Sequence, residues 1–526
     1  MTNTIDDTRE FLKLKKLDYL LVNSTNDFLV EYNDLSENSR YKLTNFSGST
    51  GDVLLTMEKL YLFVDGRYHI QADNEVDKEK VTVVKLRTGQ NFIDEFCKMI
   101  KPNSMLGIFS FKNSQARYEK LQEKLKDKNV CIKLLDRDPI TSLNREPSLG
   151  IKKLKIEYTG LTIEDKIKAL LDEIPEEDGI LLTNMEEVSY LFNSRNFEKQ
   201  YCSSIKAKAF LSRKKTLLFT PDKMDLYEKY IQSFSGKIYV DKSTINAHDY
   251  NLIKDKVKVF AQNPISLMKA VKNDTEIEYY KTCFERTDKT VYAIREYIEN
   301  NEELSEFDIA QKLEEYFYQF GAKNLSFKSI VAIDKNSALA HYSKNSKDVI
   351  LKDGGLVLID CGAYYEGGLA TDITRVFVKG EPSQLQRQVY TTVLKMFLNA
   401  FDYNILENTT GYDIDEYARK IEEENKIDGF EFNHGLGHGL GIGVHEYPPN
   451  LSKNELAKVK LQENMCFSIE PGLYNKDYFG IRLENACYLK YGIINSFSDM
   501  CYEKKLIDFT LLTEQEKKWL KLFKVR

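Results

Sequence analysis

The stretch His434-Gly435-Leu436-Gly437-His438-Gly439-Leu440-Gly441-Ile442-Gly443-Val444-His445-Glu446 decides how the chain is read. The sequence holds 6 His in 526 residues, and three of them fall here, interleaved with five glycines. Imidazole is the commonest side-chain metal ligand and carries protons near neutral pH. Glycine lets backbone approach a ligand closely. The segment is therefore a candidate site. The competing reading is a flexible loop in which the histidines are incidental, and the neighbouring strands decide between the two.

Outward from this stretch, four apolar strands each carry one acid. Gly355-Leu-Val-Leu-Ile-Asp360 ends in a carboxylate. Thr371-Asp372-Ile-Thr374-Arg375-Val-Phe-Val378 puts Asp372 and Thr374 on one face by period-two alternation. Met465-Cys-Phe-Ser-Ile-Glu470-Pro471-Gly472 again ends in an acid, and Gly480-Ile-Arg482-Leu-Glu484-Asn-Ala-Cys-Tyr-Leu489 sets Arg482 and Glu484 on one face. Burying an isolated charge is very costly. For any one strand a structurally paired acid is the better reading. For all four, within ~130 residues that one domain can hold, it is a poor one. Four carboxylates and an imidazole make an oxygen-rich donor set, which favours Mn²⁺, with Co²⁺ or Fe²⁺ as alternatives, over a thiolate-type zinc site. Five protein ligands exceed what one catalytic metal takes while keeping open positions. Two metals bridged by carboxylates fit better.

Composition excludes several other classes. Hydrophobic content of 42% and charged content of 30% are those of a globular protein. The net charge of −6 gives no support for a nucleic-acid or membrane-surface partner. The 8 Cys are scattered without a C-x-x-C pair, so reduced thiols and a cytoplasmic location are expected. No signal peptide and no run of 18 apolar residues is visible.

The chain is long enough for several domains. In residues 1–145, Leu17–Val22, Val53–Met57 and Leu60–Val64 read as buried strands, with the turn Leu43-Thr-Asn-Phe-Ser-Gly-Ser-Thr-Gly51 between the first two. A composition change at Asn144–Gly150 opens a second region, to about residue 270. Its order of helices and strands resembles the first, which suggests a duplication. Asn273-Asp-Thr-Glu-Ile277 then starts the strongest helix, which Asp274 or Thr275 can cap. Ile277, Tyr280, Phe284, Thr287, Val291, Ile294 and Ile298 form its apolar face, and Ile309, Leu313 and Phe317 that of the next helix.

The ordered set Asp360, Asp372, His438, Glu470 and Glu484 resembles the ligand set of the pita-bread metallopeptidases, which include methionine aminopeptidase, prolidase and aminopeptidase P. Further landmarks are Asp-Ile-Thr-Arg (372–375), Val-His-Glu (444–446) and Ile-Glu-Pro-Gly-Leu-Tyr (469–474). Leu43–Gly51, Asp65-Gly-Arg-Tyr68 and Leu339-Ala-His341-Tyr342 are most similar to the three-domain Xaa-Pro aminopeptidases. The resemblance implies an α/β (α+β) chain. Two N-terminal α/β domains of creatinase/prolidase N-terminal type, 1–145 and 146–270, would precede a catalytic pita-bread domain, 271–526.

It also implies two divalent metals per chain, Mn²⁺ first with Co²⁺, Zn²⁺ or Fe²⁺ possible. Water activated by them would cleave the N-terminal Xaa-Pro bond of peptides. Asp360 would serve one metal, His438 and Glu470 the other, and Asp372 and Glu484 both. Glu470 would also orient the water and take its proton. His445 would bond the developing oxyanion. His341 and His434 would line the proline side. Arg482 would brace a bridging carboxylate; a strand-face salt bridge is its plainer reading. A homodimer is expected from the family, with no nucleic-acid or membrane partner. Prolidase, and a non-catalytic peptide-binding member of the fold, are the alternatives. The spacing 372 − 360 = 12 is one longer than the family pattern. The turn Tyr364–Ala370 would hold the extra residue, and Glu366 within it is the competing acid.

Overall fold

The computed structural model describes residues 2–87 and 89–526, without the side chains of residues 2 and 3. The chain packs as two compact units. One comprises Met1–Ile151, Ile163–Phe192 and Ile205–Ile265; the other Lys152–Thr162, Asn193–Ser204 and Ser266–Arg526.

The first unit contains two sheets. In the larger, the strand order is Val81–Lys85, Leu60–Val64, Asp52–Thr56, Tyr19–Val22, Met105–Phe109, Cys131–Leu135. Asp52–Thr56 runs antiparallel to both neighbours, and the other pairs are parallel. Tyr19–Val22 is buried throughout. Alternation sends Leu20 and Val22 to the core on one face, and Tyr19 and Leu21 to the core on the other. The continuous apolar run thus reflects a sheet covered on both sides.

The second sheet has the order Thr216–Phe219, Lys208–Ser212, Gly179–Leu182, Ile238–Val240, Val257–Val259. Its pair directions repeat those of the first sheet strand for strand from Leu60–Val64 to Cys131–Leu135. Among the described residues it lacks only a counterpart of the Val81–Lys85 edge. The duplication suspected from element order is therefore visible as matched topology. The corresponding helices Gln115–Leu125 and Ala247–Ile253 meet at their starts, where the Gln115 N–H donates to Ile245 O and the Ala247 N–H to Asn113 O, both at 2.9 Å.

The second unit is led by the 27-residue helix Asp274–Asn300. Asn273, not Asp274 or Thr275, caps it. Its side chain accepts the Glu276 N–H at 3.0 Å while Glu276 accepts the Asn273 N–H at 3.0 Å, a reciprocal pair. All seven residues of the predicted apolar face are buried. An antiparallel sheet of Ile330–Ile333, Leu356–Cys361 and Ile373–Val378 is joined through a common apolar core to a five-stranded sheet. That sheet has the order Glu446–Leu451, Gly437–Gly439, Cys466–Ile469, Asn485–Lys490, Ile493–Ser496. Helices Gln384–Phe401 and Gly411–Glu424 pack on the same core.

The strand that reads as continuous over 480–489 is interrupted: it stops at Arg482 and resumes at Asn485. The strand expected to end at Glu470 stops at Ile469, and the chain resumes as Gly472–Tyr474. Pro471 has no N–H to give a ladder. Gly472–Tyr474 pairs instead with Gly480–Arg482 as a separate ribbon. Glu470 and Glu484 stand at these two interruptions, where the chain passes from one sheet to another.

Candidate metal centre

The sheets bring five side chains to one place. Asp360 lies opposite Thr374 in the ladder, and Asp372 immediately precedes the strand Ile373–Val378. His438 is the middle residue of Gly437–Gly439. Its N–H donates to Ser468 Oγ at 3.1 Å, and the Glu470 N–H donates to Leu436 O at 2.7 Å, which sets His438 beside Glu470. The Glu484 N–H donates to Thr374 O at 3.2 Å, which brings the fourth acid to the Asp372 strand. One ligand atom from each of Asp372, His438 and Glu484 lies within 4.8 Å of the others. His438 Nε2 is 3.5 Å from Asp372 Oδ2 and 3.3 Å from Glu470 Oε1.

The donor set fits divalent cations. Asp360, Asp372 and Glu484 are 8%, 4% and 1% exposed, yet Asp360 Oδ1, Asp372 Oδ1 and Glu484 Oε1 have no hydrogen-bond partner. Buried polar atoms are normally satisfied, so three orphaned oxygens in one cluster call for a ligand. Burial, then mutual repulsion, pushes the Asp372 and Glu484 carboxyls well above the usual range; burial with Asp360 nearby lifts Glu470 to about 7 despite Arg482. His438 Nδ1 donates to Gly439 O at 3.1 Å, since a carbonyl can only accept. That tautomer leaves the Nε2 lone pair for a metal. Hard oxygens with one imidazole suit a hard or borderline divalent ion.

Arg482 is the one cation that touches these acids among the described residues. Its Nη2 donates to Asp360 Oδ2 at 2.5 Å and its Nε to Thr374 Oγ1 at 3.2 Å, while Thr374 Oγ1 donates to Glu484 Oε2 at 2.8 Å. Glu470 Oε2 is 3.9 Å from the guanidinium. Arg482 therefore grips Asp360 directly and reaches Glu484, one of the acids expected to bridge, only through Thr374. Burial works against its charge, but Tyr474, Asp360 and Glu470 outweigh that and hold it charged.

His434 and His445 flank the cluster, and His341 lies next in the chain to a residue that Arg482 touches. His434 Nδ1 donates to Gly435 O at 2.7 Å, so Nε2 accepts from the Tyr474 hydroxyl at 2.9 Å; Tyr474 in turn accepts from Arg482 Nη1 at 2.8 Å. The His445 ring stands edge-on to His438, with centroids 4.4 Å apart. His341 follows Ala340, whose carbonyl accepts from Arg482 Nη1 at 3.2 Å. Tyr474 is a part of the site that the sequence offered only as a motif letter, while Thr374, placed on the Asp372 face by alternation, proves to link Arg482 to Glu484. Glu366 is elsewhere: it pairs with Arg286 at 2.7 Å and Lys323 at 3.3 Å on the hairpin turn.

Residues 278–490 match metallopeptidase family M24, and residues 5–143 and 142–276 each match a creatinase/prolidase N-terminal domain. The chain is similar to the Probable Xaa-Pro aminopeptidase P of Coprinopsis cinerea, with 28% identity covering 97% of this chain and 92% of that protein. It is similar to the Xaa-Pro aminopeptidase 1 of Dictyostelium discoideum, with 27% identity covering 98% and 91%. Among solved structures, an X-prolyl aminopeptidase of Caenorhabditis elegans, described as a cytosolic enzyme with a di-nuclear active site, superposes with a TM-score of 0.87. It is 22% identical and covers 96% of this chain and 90% of that one.

Proposed function

We infer that this chain, which belongs to metallopeptidase family M24, is a metal-dependent aminopeptidase that removes the N-terminal residue from peptides with proline in second position. The observation that carries the reading is the convergence of Asp360, Asp372, Glu484, His438 and Glu470 with three buried oxygens left without donors. The match to Xaa-Pro aminopeptidases across both N-terminal domains supports it over prolidase.

Two divalent ions, for which we propose Mn²⁺, would lower the pKa of water and polarise the scissile carbonyl. Asp360 would hold one ion, His438 and Glu470 the other, and Asp372 and Glu484 both. Glu470 is the group to receive the proton of the attacking water and deliver it to the proline nitrogen as the C–N bond breaks. His445, edge-on to His438, is placed to donate to the carbonyl oxygen as charge develops there. His434, fixed by Tyr474, and His341 flank the space for proline. A bond before proline has no N–H and its ring fixes φ. A site that asks for no amide hydrogen bond and offers rings instead accepts it. We further propose a homodimer, as the family suggests, and a cytosolic location, which the description of the nematode relative and the eight free thiols support.

Product analysis with Mn²⁺-reconstituted protein tests the reading. Release of alanine from Ala-Pro-Phe is expected. Cleavage of Ala-Pro with no cleavage of Ala-Pro-Phe would replace it with prolidase activity.

A further inference from the structure

Glu446 ends the stretch around which the chain is organised, and the chemistry above leaves it unused. Its side chain is 1% exposed, and those of Lys269 and Lys272 beside it are 5% and 3% exposed. Glu446 Oε1 accepts the N–H of Ile442 at 2.6 Å and of Gly443 at 3.2 Å, and lies 3.0 Å from Lys269 Nζ. Oε2 is 3.4 Å from Lys272 Nζ. Lys269 belongs to helix Pro264–Ala270, and Lys272 stands just before helix Asp274–Asn300. The carboxylate therefore folds back onto its own loop and is anchored by two cations outside it. Gly441 lies against it, and a Cβ there would overlap the carboxylate. Gly441 O accepts the N–H of Ala370 at 2.7 Å, two residues before Asp372, and Ser203 Oγ donates to Ile442 O at 3.3 Å and Gly368 O at 2.8 Å.

Buried ion pairs are a poor route to stability, because desolvation offsets the attraction. Their better-attested use is to specify one geometry. Here the backbone bonds of the carboxylate run to the loop between His438 and His445. We propose that Glu446 is a positioning residue: clasped by Lys269 and Lys272, it fixes the 440–443 loop and so holds His445 at the angle from which it serves the substrate carbonyl. This rests on the aminopeptidase reading, which gives His445 its task. It also assigns a reason to Gly441, whose missing side chain is the space the carboxylate occupies.

The test is steady-state hydrolysis of Ala-Pro-Phe by Mn²⁺-reconstituted protein, with metal content measured on the same samples. Glu446→Gln should lower kcat about tenfold or more while KM stays within about threefold and metal content is unchanged, since a misplaced donor acts in the transition state. Gly441→Ala keeps every charge, and its backbone lies outside the left-handed region, so the added methyl presses first on the Glu446 carboxylate. It should lower kcat in the same way, and it keeps the test open should the first variant fold poorly. In a His445→Ala background either change should add less than about twofold, because residues acting through one group are not additive. Wild-type kcat in both variants, full multiplicative loss in the His445→Ala background, or activity lost in proportion to metal would overturn the proposal. Wild-type protein inactive on the tripeptide would instead overturn the aminopeptidase reading on which it rests.

Discussion

In the first unit, Lys112 faces Asp138 at 2.8 Å beside the first sheet, Lys208 is paired with Asp249 beside the second, and Lys206 faces Glu37 at 3.0 Å across the two. All six side chains are buried, and each acid has its own cation. In the acid cluster of the second unit, four carboxylates share one guanidinium and the imidazoles of His438 and His445, and three of their oxygens accept nothing. Both regions take charge out of water, but only the first balances it within the chain. The physical cost of burying unbalanced carboxylates is high. A region that keeps them is organised for cations from outside, whereas the balanced region is structural, with Lys206 and Glu37 linking its two halves. Counting the cations against the acids in each place separates a ligand site from a structural joint without reference to any motif.

The comparison can be broken or sharpened by substitution. The largest effect should come from His438→Ala. Losing a ligand exceeds what loss of its supporting partners costs, so peptidase activity should fall by more than about 100-fold with reduced metal content. Unchanged turnover with full metal would show that His438 is not a ligand. Next, Lys208→Met leaves Asp249 buried without its cation and should cost about 3–5 kcal/mol in denaturant unfolding, with metal content untouched. A cost under about 1 kcal/mol would mean that this pair does not hold its region electrostatically.

The two ways of burying charge also respond oppositely to pH. In chelated protein the Glu470 carboxyl is lifted to about 7. A carboxyl raised above its unfolded value of about 4.3 contributes stability that is complete below that pH and lost as pH rises through the folded value. The chelated protein should therefore lose thermal stability from about pH 4.3 to about 7, and Glu484→Gln should flatten that loss by removing one of the repelling charges. Glu446 is the opposite case. Burial would raise it, but Lys269 and Lys272 hold it down at about 2. Its contribution is present above about pH 4.3 and is lost as pH falls through about 2. A chelated protein whose stability rises steadily from pH 5 to 7 would contradict this assignment of the acid cluster. The smallest effect is expected from Glu366→Gln. Its part-exposed pair with Arg286 and Lys323 should be worth under about 1 kcal/mol, and peptidase activity should not change. A large loss of activity would make Glu366 the true acid of the hairpin.

Much of the site was legible because its chemistry is local. Asp360 and Glu470 end apolar runs, Asp372 and Thr374 alternate onto one face, and His438 lies among glycines that no ordinary strand needs. Long apolar faces were legible for the same reason, as Ile277 to Ile298 shows. What was not legible depends on partners far along the chain. Asn273 takes the helix cap because Glu276 answers it, a reciprocal bond that a list of capping residues does not rank. The strand break at Glu484 follows from pairing of Gly472–Tyr474 with Gly480–Arg482, which alternation alone does not reveal. Segments Lys152–Thr162 and Asn193–Ser204 pack with the unit that holds the acid cluster although they lie within an N-terminal stretch of sequence. Glu446 read as one more letter of a motif. Its role depends on Lys269 and Lys272, 177 and 174 residues earlier (446 − 269 and 446 − 272).

The most direct test of the central claim is the metal content of the purified chain after chelation, reconstitution with excess Mn²⁺ and removal of free ion. The account predicts two ions per chain, with the second lost in Glu484→Gln. A single tightly bound ion, or none, would contradict it.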